Sequence, residues 1–501
     1  MKARRLNLFL VIVFTLTILQ GFAQTKLSED DKPDFSKVKM LMEQAVANKT
    51  APSLSIAVVY KGKILWEESV GMADKEKNIK ITVNTPYYLA SITKTITAAA
   101  IMQLAENKLV DINKPVNNYL GNKKVSSFLW NAEEATVKRV MNHTAGLTTY
   151  NKGCYALTST ACPETTEQQI EKYGIVFWQP GDHFDYSNLG YGILGEAVAH
   201  TSGKSFASYL SDSIFKPLGM NNSFLGTDLN RSDIAARYLQ DSAKSRSAHA
   251  ISYSAGASSA YASVNDLTQF ARLLLKDELP SGKKIISNKS VDYMQNFVVP
   301  TGRADEYYGL GCDVTKDFYG FKGVLAQGGT NDASAWMQII PSENIAVIFL
   351  ANTGLGDVFC HAIINEALAA VLPTFKQHWL AYKQPAQQVQ AQHPITLWLH
   401  GKWSGKIHAN KKDIPFELSI TQGQKAFASF NNGSPTAINK VDFDNNKLFF
   451  DIQGDLGVSD AGTAPYDMGF ELCRKEDFFY GALTAYGTSQ LPFWVRLDKV
   501  Q

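Results

Sequence analysis

The sequence predicts an α/β domain, a sheet flanked by helices with a helical subdomain set into it, followed by a small antiparallel β-barrel-like unit. Three observations predict it. Strand-like runs at 54–67 and 321–350 enclose a helical, loop-rich stretch at about 110–250; a glutamine-rich segment with little to bury follows at 384–392; and beyond it short alternating runs are separated by Asn/Gly turns. The resulting division is a leader at 1–23, an α/β domain at 34–378, a linker at 379–396 and an all-β unit at 397–501.

At 501 residues the chain is long enough for two or three units. With 45% hydrophobic and 19% charged residues it is globular in composition. Lys+Arg number 49 against Asp+Glu 47, a balance that calls for neither nucleic acid nor an anionic membrane surface.

The elements follow in order. Lys2, Arg4 and Arg5 precede an apolar run, Leu6 to Leu19, with Gly21 and Ala23 before Gln24. This pattern is a signal peptide cleaved after Ala23, so the mature chain is expected to be periplasmic or secreted, with no membrane anchor. A single-pass anchor is the competing reading, but the run falls short of a bilayer span. Apolar positions between Phe35 and Ala47 have helical spacing, and Leu54–Tyr60 and Lys63–Glu67 flank Lys61-Gly62 as a hairpin. Late in the domain Phe321–Leu325, Ala335–Ile340 and Ile345–Leu350 are strand-like, with a turn at Pro341–Asn344 and an amphipathic helix at Val358–Leu372.

Five cysteines bear on the exported environment. Cys154 and Cys162 are either one bridge pinning a surface excursion or two free thiols, while Cys312, Cys360 and Cys473 lie in apolar patterns and are predicted core residues. The nine histidines are scattered, with no His-Glu-x-x-His and no Cys-x-x-Cys. Neither a metal nor another cofactor is expected.

Chemistry concentrates at Ser91-Ile92-Thr93-Lys94. A serine three residues before a lysine puts hydroxyl and amine on one helical face, a nucleophile beside a proton acceptor. The tetrapeptide pattern also occurs at Ser36/Lys39, Ser213/Lys216 and Ser281/Lys284, so context must choose. Only Ser91 opens a long apolar helix and is followed by Tyr186-Ser187-Asn188 and then by Gln327-Gly328-Gly329-Thr330 at the end of a strand-like run. The bland alternative makes Ser91 a helix N-cap, Lys94 a solvated side chain, Tyr186 a core residue and the glycine pair a turn.

With these motifs, and with His143-Thr144-Ala145-Gly146-Leu147, Gln179-Pro180-Gly181 and Phe215-Lys216-Pro217-Leu218-Gly219-Met220 between them, residues 35 to 372 resemble the serine β-lactamase and penicillin-binding-protein superfamily, in its class C-like branch. The resemblance implies a β-lactamase-like fold in which Ser91 is acylated, Lys94 exchanges its proton and Tyr186 is a second acid or base. It implies that Asn188 binds the acyl side of a small-molecule or peptide substrate, with Gln327 and Gly329 beside it, and that the N–H groups of Ser91 and Thr330 form the oxyanion hole. His143 is expected to be structural. The function implied is a serine hydrolase cleaving an amide or ester; the alternative is a ligand-binding or scaffolding relative with little turnover. One position departs from the pattern: Gln327 stands where the family carries Lys or His, so a carboxylate-ended substrate loses its cation and neutral-ended esters, amides or peptides gain ground. No Gly-x-Ser-x-Gly elbow is present to support an α/β-hydrolase.

Overall fold

The structure, a computed structural model, describes residues 32–500 apart from 151–152, 156–164, 227–230, 232, 241–244, 248–249, 253, 280–281, 383–396, 410–411, 422–424, 439, 445, 459–463 and 488. The leader, the Cys154–Cys162 pairing and the glutamine-rich segment lie outside the described residues.

Local chemistry sets the first hairpin. Lys61 and Gly62 both take positive φ, 48° and 73°, the backbone that a two-residue turn between right-twisted strands requires. The turn joins Ser53–Tyr60 to Lys63–Asp74. These pair into a nine-stranded antiparallel sheet whose order is Val299–Pro300, Glu306–Tyr308, Asp313–Phe318, Phe321–Thr330, Ala333–Ile340, Ile345–Ala351, Ser53–Tyr60, Lys63–Asp74 and Ile79–Lys80. The expected late hairpin is present, turned by Pro341–Glu343 with Asn344 at φ 49°. Three short strands at the edge, Val299–Pro300, Glu306–Tyr308 and Asp313–Phe318, extend the sheet beyond the runs legible in the sequence.

Alternation along the central strands divides the core in two. Leu54, Ile56, Val58, Val347 and Phe349 face the helices Ser36–Ala47 and Asp357–Val371, whereas Ala57, Val59, Ala346, Ile348 and Leu350 face the helical subdomain. The helix Ile92–Glu106 sits on that second face and is buried almost all round, with Thr93, Lys94, Thr95 and Thr97 buried beside its apolar residues, so it is not amphipathic. The chain stays helical from Pro373 to Ala381 before the residues that are not described.

Residues 401–499 form a second nine-stranded antiparallel sheet, ordered Thr436–Ile438, Ala426–Phe430, Lys412–Ile420, Gly401–Ala409, Gln490–Lys499, Phe478–Tyr486, Tyr466–Lys475, Lys447–Gly454, Val441–Asp444, and it curls into a nearly closed barrel. Alternate residues such as Ile414, Phe416 and Leu418 fill its interior, with Phe470 stacked between Phe416 at 4.9 Å and Phe450 at 4.4 Å. Its outer face carries Phe478, Tyr480 and Trp494 onto Phe177 and Trp178 of the first domain. Cys312 and Cys360 are buried as expected, but Cys473 falls on the outward phase of its strand and is only partly covered, at this seam between the two units. No helix among the described residues is long and apolar enough to cross a membrane.

Candidate active site

Ser91 precedes the helix Ile92–Glu106 with helical dihedrals, yet its side chain makes no capping hydrogen bond, so the N-cap reading fails. Ala90, just before it, is held at φ 44°, a conformation non-glycine residues rarely adopt, and this presents the serine to the pocket. Ser91 Oγ accepts from Lys94 Nζ at 3.0 Å and from the Tyr186 hydroxyl at 2.9 Å.

Lys94 is one turn into the helix and buried. Its three N–H donors are committed to Ser91 Oγ, to Asn188 Oδ1 at 2.7 Å and to the Ala257 carbonyl at 3.1 Å, and its nitrogen lies 4.6 Å from the centre of the Tyr186 ring. Burial holds the Lys94 ammonium well below the usual lysine range, opposed by the negative charge of Asp313. Burial likewise pushes the Tyr186 phenol up, the hydrogen bond to Ser91 acting the other way. The pair therefore comprises an amine that gives up its proton readily and a phenol that keeps its own.

Tyr186-Ser187-Asn188 enters the helix Asn188–Ser202, which Ser187 caps by accepting from the Gly190 N–H. His143 fixes this entry: its Nδ1 accepts from the Ser187 N–H at 3.0 Å, and its ring packs 4.4 Å from Tyr186 and 4.7 Å from Tyr308. Desolvation, reinforced by Lys94, lowers the His143 pKa well below the ordinary value, so the imidazole is neutral. The expected structural role of His143 agrees with this placement.

The opposite wall is the strand Phe321–Thr330. A Cβ on Gly328 would stand 2.2 Å from the Leu89 carbonyl and 2.5 Å from the Ser91 nitrogen, so only glycine lets the strand pass this close to the nucleophile. Gln327 and Gly329 line the same pocket, of about 480 Å³, as Ser91 and Tyr186. Thr330, at the strand's end, donates its hydroxyl to Asp332 at 2.6 Å, and Asp332 meets the buried Arg237 at 3.5 Å. Of the expected site residues, Ser91, Tyr186, Gln327 and Gly329 line this pocket, Lys94 and Asn188 join it through hydrogen bonds behind Ser91, and Thr330 follows at the strand's end.

Sequence reasoning missed Asp313. It lines the pocket beside Gly311 and Cys312, and burial, followed by the charge of Glu306, raises its carboxyl to about 7. The short edge strand that carries it has no apolar alternation strong enough to announce it. Its one legible signal is a carboxylate directly after Gly309-Leu310-Gly311-Cys312. Among the described residues no cluster of three or more His, Cys, Asp or Glu side chains is placed to hold a metal.

Comparison with known proteins bears on the family and the fold. A family model described as Beta-lactamase matches residues 38–371. PbpX of Bacillus subtilis (strain 168) is 29% identical over 271 residues, 54% of this chain and 63% of its own length, so the chain spans under two thirds of that relative. In fold, the octameric penicillin-binding protein homologue from Pyrococcus abyssi matches with a TM-score of 0.56 at 21% identity, over 92% of this chain and 100% of that one. A class C beta-lactamase matches with a TM-score of 0.56 at 17% identity, over 67% and 95%. The match to the Pyrococcus abyssi protein, at 92% of this chain, therefore extends into the barrel.

Proposed function

Because the chain belongs to the beta-lactamase family, a branch of the serine hydrolase superfamily, we propose that it is itself a serine hydrolase that cleaves an amide or ester through an acyl-enzyme on Ser91. The observation that carries the reading is one oxygen, Ser91 Oγ, held at 3.0 Å from Lys94 Nζ and 2.9 Å from the Tyr186 hydroxyl.

The chemistry follows from those contacts. Neutral Lys94 takes the Ser91 proton as Oγ bonds to the substrate carbonyl carbon. The carbonyl oxygen becomes an oxyanion, which the N–H groups of Ser91 and Thr330 receive. Tyr186 gives its phenolic proton to the departing amine or alkoxide, the bond to the leaving group breaks, and the proton on Lys94 returns to the phenolate. Water then repeats the sequence in reverse order of groups and frees the acid. Asn188 holds Lys94 and the acyl side. The leader composition supports export of the mature chain to the periplasm or the exterior.

A second reading has one observation in its favour: Gln327 removes the cation from the substrate wall, which suits a relative that binds without turning over. Treatment with a serine-directed fluorophosphonate followed by peptide mass spectrometry separates the two. Adduct on Ser91, lost in Ser91→Ala together with ester hydrolysis, is the outcome of the hydrolase reading. Failure to label while the protein is folded would sink it and leave the binding reading.

A further inference from the structure

The pocket's charge is inverted relative to one built for a carboxylate. Position 327 supplies an uncharged amide, and among the described residues the charged side chains lining the cavity are Asp313, Glu306, Asp357 and Arg303, three carboxylates to one guanidinium. Arg303 is mostly exposed and already meets Glu306 at 3.4 Å. It brings no uncommitted positive charge to the nucleophile.

Asp313 differs from the other two acids. It is half-buried in the same cavity as Ser91, and among the described residues no side chain forms a hydrogen bond or ion pair with it; its own backbone N–H supports it, and Arg303 and Lys94 act on it through charge alone. Lys94, a neutral amine in the proposed reaction, is held by Ser91, Asn188 and Ala257 and makes no hydrogen bond to Asp313 among the described residues. A half-buried carboxyl with no cation paired to it is favoured in its charged form when a cation enters, and the two then form a charge-assisted contact. Gln327 can add a neutral hydrogen bond but offers that cation no repulsion.

We propose that Asp313 is the substrate-selecting residue of this pocket, receiving a primary ammonium that the substrate carries close to its scissile carbonyl. This rests on the hydrolase reading for the word substrate, but its test needs no turnover. In the full chain carrying Ser91→Ala, calorimetry compares leucinamide, whose ammonium is on the acyl side, with N-acetylleucinamide. It also compares N-acetylleucine 2-aminoethylamide, whose ammonium is on the leaving side, with the matching propylamide. Leucinamide is used as each enantiomer separately. A buried charge-assisted contact predicts that one ammonium ligand binds at least about tenfold tighter than its neutral partner, and that the ratio falls to near one in Ser91→Ala/Asp313→Asn.

Equal binding within both pairs while Asp313 is intact would overturn the proposal, and so would a ratio that survives Asp313→Asn. A tighter fit for free-carboxylate analogues than for either ammonium ligand would also overturn it and make Arg303 the anchor. Absence of Ser91 labelling by fluorophosphonate in the wild type would remove the hydrolase reading and leave the ammonium ratio standing, so the two failures are distinct.

Discussion

Lys94 Nζ donates to Asn188 Oδ1 at 2.7 Å, tying the first turn of one helix to the first turn of another. Through this contact the amine is aimed at Ser91 by a residue 94 positions away. Since Lys94 must be neutral to accept a proton and burial depresses its pKa, activity is lost as pH falls through that lowered value. Lys94→Arg keeps a fixed charge that cannot accept the proton. It should lower kcat by about 10²–10⁴-fold and lower the unfolding temperature as well, because a guanidinium cannot shed its charge in this buried site. Steady-state kinetics on an activated ester across pH 5–10, with thermal unfolding alongside, checks both parts.

Tyr186→Phe removes one oxygen and retains the ring that packs 4.4 Å from His143. Loss of the proton donor to the leaving group should cost about 10²-fold or more in kcat with a poor leaving group and far less with p-nitrophenolate, which needs no proton. Equal losses on a p-nitrophenyl ester and an alkyl amide would place Tyr186 outside proton transfer. Stability should change by only about 0.5–1.5 kcal/mol, one hydrogen bond.

His143 accounts for stability more than for chemistry. His143→Ala strands the Ser187 N–H in a buried site, at about 1–3 kcal/mol, and His143→Asn, which retains an acceptor, should recover part of it. The pH dependence has a definite sign. Folding holds the imidazole pKa below its ordinary 6.5, so the unfolded chain binds the extra proton and wild-type stability is lost as pH falls below about 6.5. The stability gap between wild type and His143→Asn should therefore narrow on acidification, by up to about 1.4 kcal/mol per pH unit. Asp185 works oppositely in both proteins, its buried carboxyl raised to about 6, and cancels in the difference. Urea denaturation at several pH values measures the gap.

What was legible in the sequence was whatever rests on local rules. The hairpin at Lys61-Gly62, the late strands, the barrel and the order of Ser91, Tyr186 and Gln327 follow from turn chemistry, alternation and motif spacing. The edge strands escaped because pieces of two to six residues carry too little periodicity. Asp313 escaped because what gives it meaning is tertiary: the nearness of Lys94 and Ser91, and a cavity left without a free cation. Cys473 was misplaced because its neighbours Phe470 and Leu472 lend the stretch an apolar look, while the residue itself lies on the outward phase with Gly469 and Glu471 and is covered only in part, at the seam with the first domain.

The barrel docks where a change is easily felt. Gly481 lies so close to the first domain that a Cβ there would stand 2.9 Å from the Trp178 ring and 2.2 Å from the Glu471 carbonyl. Trp178 in turn donates to Asp185 at 2.8 Å, the residue just before Tyr186. Gly481→Leu should force the seam apart, lower the unfolding temperature and reduce kcat several-fold. Phe128→Ala, which loosens the seam at Trp494 without touching Trp178, should lower stability with little effect on kcat. Parallel effects of both variants on kcat would show that the Trp178–Asp185 contact has no special standing.

Gln327→Lys tests the substrate wall directly. The strand position is exposed to the pocket, so a lysine fits without repacking, and its ammonium supplies the cation that the family places there. A charge-assisted bond exceeds a neutral one by about 1–1.5 kcal/mol, so the kcat/KM ratio between free-carboxylate and amidated forms of one peptide ester should shift about tenfold toward the carboxylate. The surrounding carboxylates pull against the gain. Asp313 and Glu306 would pair with the new lysine, and combining Gln327→Lys with Asp313→Asn should enlarge the shift beyond that of Gln327→Lys alone. If the single substitution leaves the ratio unchanged and the double one does too, position 327 does not meet the substrate's charged end, and the altered residue in the motif has no bearing on what Ser91 attacks.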